Sequence, residues 1–292
     1  MTRARRPAAY TGRMSEISPS TLGTIAFIGG GNMASAIIGG LVRAGRAPAS
    51  ILVVDPGQAQ RDRLQTDFGV RTLAEPGPAL AEAQMVVWAV KPQLFQEAAR
   101  PCAGHIGGAL QLSVMAGIRS DDIARATGSQ AVVRAMPNTP ALIGQGMSGL
   151  YARPDVSAGQ RAAVDAVLAP TGRVLWVQQE VALDAVTALS GSGPAYVFYV
   201  LEAMMAAAEA MGLSAEEGKQ LALGTFAGAT ALAQQSAEPP AVLRERVTSK
   251  GGTTYAALSS LEADGVKAAF VKALQAAQHR AAELGDEFGA AG

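Results

Sequence analysis

A chain of 292 residues has room for one large domain or two ordinary ones. Its 24 Lys and Arg balance 24 Asp and Glu, so no net field draws it to nucleic acid or to an anionic membrane. Charged residues are 16% of the chain and hydrophobic ones 49%, which calls for a large core and for a buried subunit interface as well.

Residues 1–22 read as a flexible tail. They carry Arg3, Arg5, Arg6 and Arg13 without an apolar run, so a secretory signal is not expected. Met14 is an alternative start, and truncation before Thr21 should leave folding and activity intact. The uncharged stretch Ile17 to Val42 is broken by Pro19 and by Gly29–Gly31, so it offers no continuous apolar helix of ~20 residues. Cys102 has no partner for an internal disulfide, and His105 and His279 give no zinc pattern. A cytoplasmic, reducing setting is expected.

Thr24 to Ile28 is a short apolar run suited to a buried parallel strand. Gly29, Gly31 and Ala34 then occupy the first, third and sixth positions of the G-x-G-x-x-G/A fingerprint, and an amphipathic helix follows to Ala44. Gly29 permits the tight turn, Gly31 lets a pyrophosphate approach the backbone, and Ala34 lets helix and strand pack closely. The helix N-terminus offers N–H groups and positive potential to phosphates. Ile51–Val54 is the next strand and ends at Asp55, where a carboxylate meets the ribose of a dinucleotide.

Helix Gln60–Phe68, strand Val70–Thr72, helix Pro78–Ala83, strand Met85–Val90 and helix Gln93–Cys102 are predicted next. Strand Leu110–Val114, helix Asp121–Ala126 and strand Ala131–Arg134 continue the alternation. Such alternation argues for an open, mostly parallel, doubly wound α/β sheet of Rossmann type. An edge hairpin strand, Gly146–Tyr151, a helix Ala158–Leu168 capped by Ser157 and Gln160, and a strand Arg173–Val177 complete this part.

From Glu180 onward the pattern is helical. Pro194 opens a helix that Gly212 closes, and Ser214 with Glu217 caps another reaching about Ser236. Helices at Pro240–Val247, Thr253–Leu261 and Val266–Leu284, stopped by Gly285, follow. The boundary near Val177–Val181 separates a dinucleotide-binding domain, 23–178, from an all-helical domain, 179–292. Too few charges remain to solvate the outer face of that second half, which favours a dimerisation domain over a monomeric bundle.

Three segments have the makings of a site. Ala89-Val90-Lys91-Pro92 ends a strand at the carboxyl edge, where Lys91 either meets ligand charge or is a solvated turn lysine. Met136-Pro137-Asn138-Thr139-Pro140 is a rigid turn presenting polar groups after a later strand. Thr248-Ser249-Lys250-Gly251-Gly252-Thr253-Thr254 precedes an amphipathic helix, where backbone N–H groups and the helix dipole can hold a carboxylate. An N-cap alone would need only one of its hydroxyls.

Together with Phe27–Met33, Arg134–Pro140 and Leu189–Tyr196, these segments closely resemble pyrroline-5-carboxylate reductases, from about Thr24 to Leu284 and in the right order. The resemblance implies NADPH- or NADH-dependent reduction of 1-pyrroline-5-carboxylate to L-proline. It also implies a helical C-terminal domain that interlocks two subunits, often in rings of dimers. By position it assigns Ile28, Gly29, Gly30, Gly31, Asn32, Met33 and Ala34, Ala89, Val90, Lys91 and Pro92, and Val114, Met115 and Ala116 to the cofactor. Asp55 and Asn138 join that side. Glu180, Ser249, Gly251, Gly252, Thr253 and Thr254 fall to the substrate, with Thr254 near its nitrogen as the catalytic group. Lys250 stands where many members have proline, and Asp55 where others carry a small hydroxyl residue.

Asp55 would repel a 2′-phosphate, while Arg61 and Arg63 can offset that repulsion, so activity with both cofactors is expected. A β-hydroxyacid dehydrogenase shares the architecture, but its pattern places a lysine on the helix after the glycine-rich turn, and Gly191–Glu202 contains none. A non-catalytic NAD(P) sensor would have no obvious use for the Ser249–Thr254 loop.

Overall fold

The computed structural model describes residues 22–290, so the expectations about the tail and Met14 lie outside it. Eight strands form a single sheet: β1 (Thr24–Ile28), β2 (Ile51–Val54), β3 (Arg71–Leu73), β4 (Ala83–Trp88), β5 (Leu110–Ser113), β6 (Val132–Met136), β7 (Gly146–Ala152) and β8 (Gly172–Trp176). Their order is β3-β2-β1-β4-β5-β6-β7-β8. The first six run parallel, and β7 and β8 run against them. The order reverses between β1 and β4, and the crevice outside their carboxyl ends is where ligands of such sheets bind.

Alternation along β1 builds both faces of the core. Ile25 and Phe27 pack with Ile37 and Leu41, whereas Ala26 and Ile28 pack with Trp88 and Phe95 on the other side. β1 is covered on both faces, which is why it reads as an unbroken apolar run. Trp88 fits because its Nε1 donates to Gln111 Oε1 at 2.9 Å and its ring meets Phe95 edge-on at 5.2 Å. The covering helices are α1 (Asn32–Arg43), α2 (Gln58–Phe68), α3 (Phe95–Ala99), α4 (Ser120–Thr127) and α5 (Ala158–Leu168).

The rest is helical: α6 (Ala182–Val186), a π-turn at Thr187–Gly191, α7 (Gly193–Ala210), α8 (Ala215–Gln235), α9 (Pro240–Arg246), α10 (Thr253–Ala263) and α11 (Val266–Ala290). Both expected capping boxes form, Ser157 with Gln160 and Ser214 with Glu217. This half leaves Leu189, Tyr199, Met211, Leu223 and Phe270 exposed in a single chain. Among the described residues no helix is long and apolar enough to cross a membrane.

Four expectations are corrected. β4 ends at Trp88, so Ala89 and Val90 leave the ladder and form the crevice wall. The predicted Gln93–Cys102 helix is a 3₁₀ turn, Pro92–Leu94, followed by the short α3. β7 is not an edge, because β8 pairs along its outer side. Gly285 does not stop α11, since a mid-helix glycine costs only ~1 kcal/mol and a Cβ there would run into the Arg119 guanidinium.

Candidate active site

The fingerprint turn is held from both sides of β1. Gly29 N donates to Val54 O at 2.8 Å, and Ala89 N donates to Ile28 O at 2.9 Å. Gly29 has φ +92°, and a Cβ there would lie 2.7 Å from Ala89 O. Only glycine lets the chain turn so close to the β4 edge. Gly30 is pressed between β1 and α2, where an added Cβ would meet Leu64 at 2.7 Å.

Gly31 differs: nothing lies within 4 Å of where its Cβ would be, and no side chain caps the start of α1. Open space over uncapped amides at a helix N-terminus is the arrangement that takes a pyrophosphate. Asn32 is exposed on this first turn, Met33 is half-buried against the core, and Ala34 is buried between α1 and the sheet.

These groups open onto a cleft of about 510 Å³ lined by Ile28, Gly29, Gly31, Asp55, Ala89, Val90 and Lys91. Asp55 Oδ2 accepts from Gly30 N and its Oδ1 from Gly57 N, each at 2.8 Å, which locks the carboxylate beside the turn. Pro92 begins the 3₁₀ turn whose Leu94 also lines the cleft. Glu75 and Glu97 line it as well and were not expected, since neither belongs to a recognisable motif.

Val114, Met115 and Ala116 leave β5 at the same carboxyl edge. Val114 N donates to Trp88 O at 3.0 Å, and Met115 is buried in the core beneath. Gly117 follows with φ +76°, and the Phe288 ring of α11 covers the space where a Cβ would point.

A second cleft, of about 630 Å³, lies where the sheet meets the helical half and is lined by Asn138, Met147, Ser190, Tyr196 and Phe270. The structure places Asn138 here rather than in the first cleft. Its Nδ2 donates to Ser190 O at 3.2 Å and to Ser190 Oγ at 3.3 Å, and its Oδ1 accepts from Met147 N at 2.9 Å.

Glu180 is likewise engaged within the chain. Its Oε1 accepts from Ser120 N at 2.6 Å and from Arg134 Nη1 at 2.8 Å, and its Oε2 accepts from Ser120 Oγ at 2.6 Å. Arg134 is 5% exposed on β6. Burial pulls its guanidinium below the usual value, and the Glu180 charge opposes that shift. Alongside, Arg119 donates to both oxygens of Asp184 at 2.9 and 3.0 Å. Sequence reasoning missed this network, although an arginine inside an otherwise apolar strand is itself a signal of a buried partner.

In the helical half, Gly251 has φ +74° and Gly252 N donates to Ser249 O at 3.0 Å. Gly252 is the N-cap of α10 and no side chain caps that helix. A Cβ on Gly252 would lie 2.6 Å from Ser249 Oγ. The loop therefore presents uncapped amides beside Thr253 and the half-buried Thr254, with Ser249 and Lys250 exposed. Amides left uncapped at a helix N-terminus can hold an anion.

Comparison with known proteins agrees over about nine-tenths of the chain. Residues 180–284 match the family described as pyrroline-5-carboxylate reductase dimerisation, and residues 24–117 match the one described as NADP oxidoreductase, coenzyme F420-dependent. A pyrroline-5-carboxylate reductase of Pseudomonas aeruginosa is 44% identical over 267 residues, covering 91% of this chain and 98% of that protein. One from Vibrio alginolyticus is 40% identical, over 89% and 97%. Among solved structures, the Coxiella burnetii enzyme of that name superposes with a TM-score of 0.85 at 36% identity, over 90% of this chain and 98% of that one. The Plasmodium falciparum pyrroline carboxylate reductase, with NADP bound, gives 0.80 at 26% identity over the same shares.

Proposed function

The chain belongs to the pyrroline-5-carboxylate reductase family and reduces 1-pyrroline-5-carboxylate to L-proline with NAD(P)H, and we propose how its residues divide that work. The observation that carries this reading is the open space over Gly31 at an uncapped helix N-terminus, on the crevice where the strand order reverses. The first cleft holds the dinucleotide. Gly31 and the first amides of α1 take its pyrophosphate, Asp55 its adenosine ribose, and Ala89–Lys91 with Val114–Ala116 frame the nicotinamide end. When bound, the reduced nicotinamide supplies the hydride.

The amides of Gly251–Thr254 hold the substrate carboxylate, and the Thr254 hydroxyl stands at the ring nitrogen. A cyclic imine is most electrophilic when that nitrogen is protonated, and the proton can come from solvent. What the protein contributes is orientation and fixed donors, which accords with motifs that contain no histidine. Asn138 and Glu180 hold the sheet and the helical half together instead of touching ligand.

The apolar side chains left exposed on α7, α8 and α11 favour pairing with a second copy through the helical half, alone or in a ring of dimers. We place that assembly in the cytoplasm. We also take 23–178 and 179–292 as its two domains. The test is NADPH oxidation with 1-pyrroline-5-carboxylate, set against NADP⁺ reduction by a panel of 3-hydroxy acids. Turnover of the imine alone supports the reading, and turnover of hydroxy acids alone contradicts it.

A further inference from the structure

We propose that this chain binds NADH more tightly than NADPH, with Asp55 as the residue that sets the preference. The proposal rests on the dinucleotide reading of the first cleft and goes beyond it.

In this fold the residue at the end of β2 faces the 2′ position of the adenosine ribose. Asp55 stands there with each carboxylate oxygen already accepting one backbone N–H, from Gly30 and from Gly57. A carboxylate has about four acceptor positions, so roughly two remain for ribose hydroxyls. The same two amides stop the side chain from swinging away. A 2′-phosphate would meet a fixed negative charge, and Glu75 on the same cleft adds a second.

Offsetting that charge needs a cation on β3 or α2, and each of the three that those elements carry already has a partner within the chain. Arg61 Nη1 donates to the carbonyls of Asp55 and Pro56 at 2.7 and 2.8 Å, and its Nη2 to Gln58. Arg63 pairs with Asp67 at 3.4 Å, and Arg71 with Glu82 at 3.0 Å. Lys91 lines the cleft but follows β4, on the far side of β1 from β2. A guanidinium that reads phosphate must present its fork to it, and Arg61 has turned its fork to main-chain oxygens.

The test is equilibrium binding without substrate. The purified enzyme is titrated with NADH and with NADPH while nicotinamide fluorescence is followed. NADH should bind on the order of tenfold more tightly, a difference of about 1.4 kcal/mol. As a competitor against NADH, 5′-AMP should act at lower concentration than 2′,5′-ADP. Asp55→Asn keeps the size and one amide oxygen for the backbone donors, and should bring the two affinities together chiefly by improving NADPH. Should that variant fold poorly, Glu75→Gln, on an exposed side chain, should move the ratio the same way by a smaller factor. Equal or tighter NADPH binding by the unaltered enzyme would overturn the proposal and leave the reductase reading standing. Binding of neither nucleotide would overturn both.

Discussion

The carboxylate of Glu180 accepts from both donors of Ser120, with the backbone N–H and the hydroxyl each 2.6 Å from one of its oxygens. A residue at the start of the helical half thereby caps α4, at the edge of the sheet. Arg134 completes the clasp from β6.

Removing one partner of this pair leaves the other buried and uncompensated. Glu180→Ala should therefore cost about 3–5 kcal/mol in a denaturant melt, whereas the double change Arg134→Met with Glu180→Leu should cost much less. Glu180→Gln should lower stability and leave KM for the imine unchanged. A raised KM at unchanged stability would return Glu180 to the substrate.

Gly29 and Gly31 sit two residues apart and should respond differently. Gly29→Ala forces a side chain into φ +92° against Ala89 O and should destabilise by ~1–3 kcal/mol. Gly31→Ala, at φ −63° with open space, should melt within about 1 kcal/mol of the parent yet weaken nucleotide binding. Thermal melts with and without NADH separate the two effects.

Cys102 is buried on the sheet's second face, where burial raises its thiol from 9.0 to about 11. The unfolded chain then loses this proton first as pH rises. Stability should fall between those two values, by at most ~1.4 kcal/mol per pH unit, and be unaffected by this group below them. Cys102→Ala should have a lower overall stability and a shallower alkaline limb in urea melts across that range. An unchanged slope would place the thiol's titration elsewhere.

Local signals carried much of this account. The fingerprint at Gly29–Ala34, the apolar parallel strands and the two capping boxes are short-range features, and each appears where chain order puts it. What local pattern could not supply was tertiary. That Asn138 bonds Ser190, 52 residues on, depends on how the helical half docks. That Gly285 lies inside a helix depends on Arg119, on a different element. Of the cleft acids, Glu75 sits in a bend after β3 and Glu97 in the short α3, neither within a motif, so only the fold brings them to Asp55.

The central claim is that the Gly251–Thr254 cradle and the Gly31 cleft act on one substrate, and we propose that the two parts come from different subunits of a dimer. Thr254→Ala should lower turnover ~10²-fold, as loss of an oriented donor does, and leave NADH affinity nearly unchanged. Gly31→Trp should abolish nucleotide binding while folding, since its side chain fills open space without backbone strain. The decisive measurement is the activity of mixed dimers, purified through two different affinity tags, that pair one Thr254→Ala subunit with one Gly31→Trp subunit. The account predicts partial recovery, because one of the two composite sites then has both parts intact. Verified mixed dimers with no more activity than either parent would contradict it.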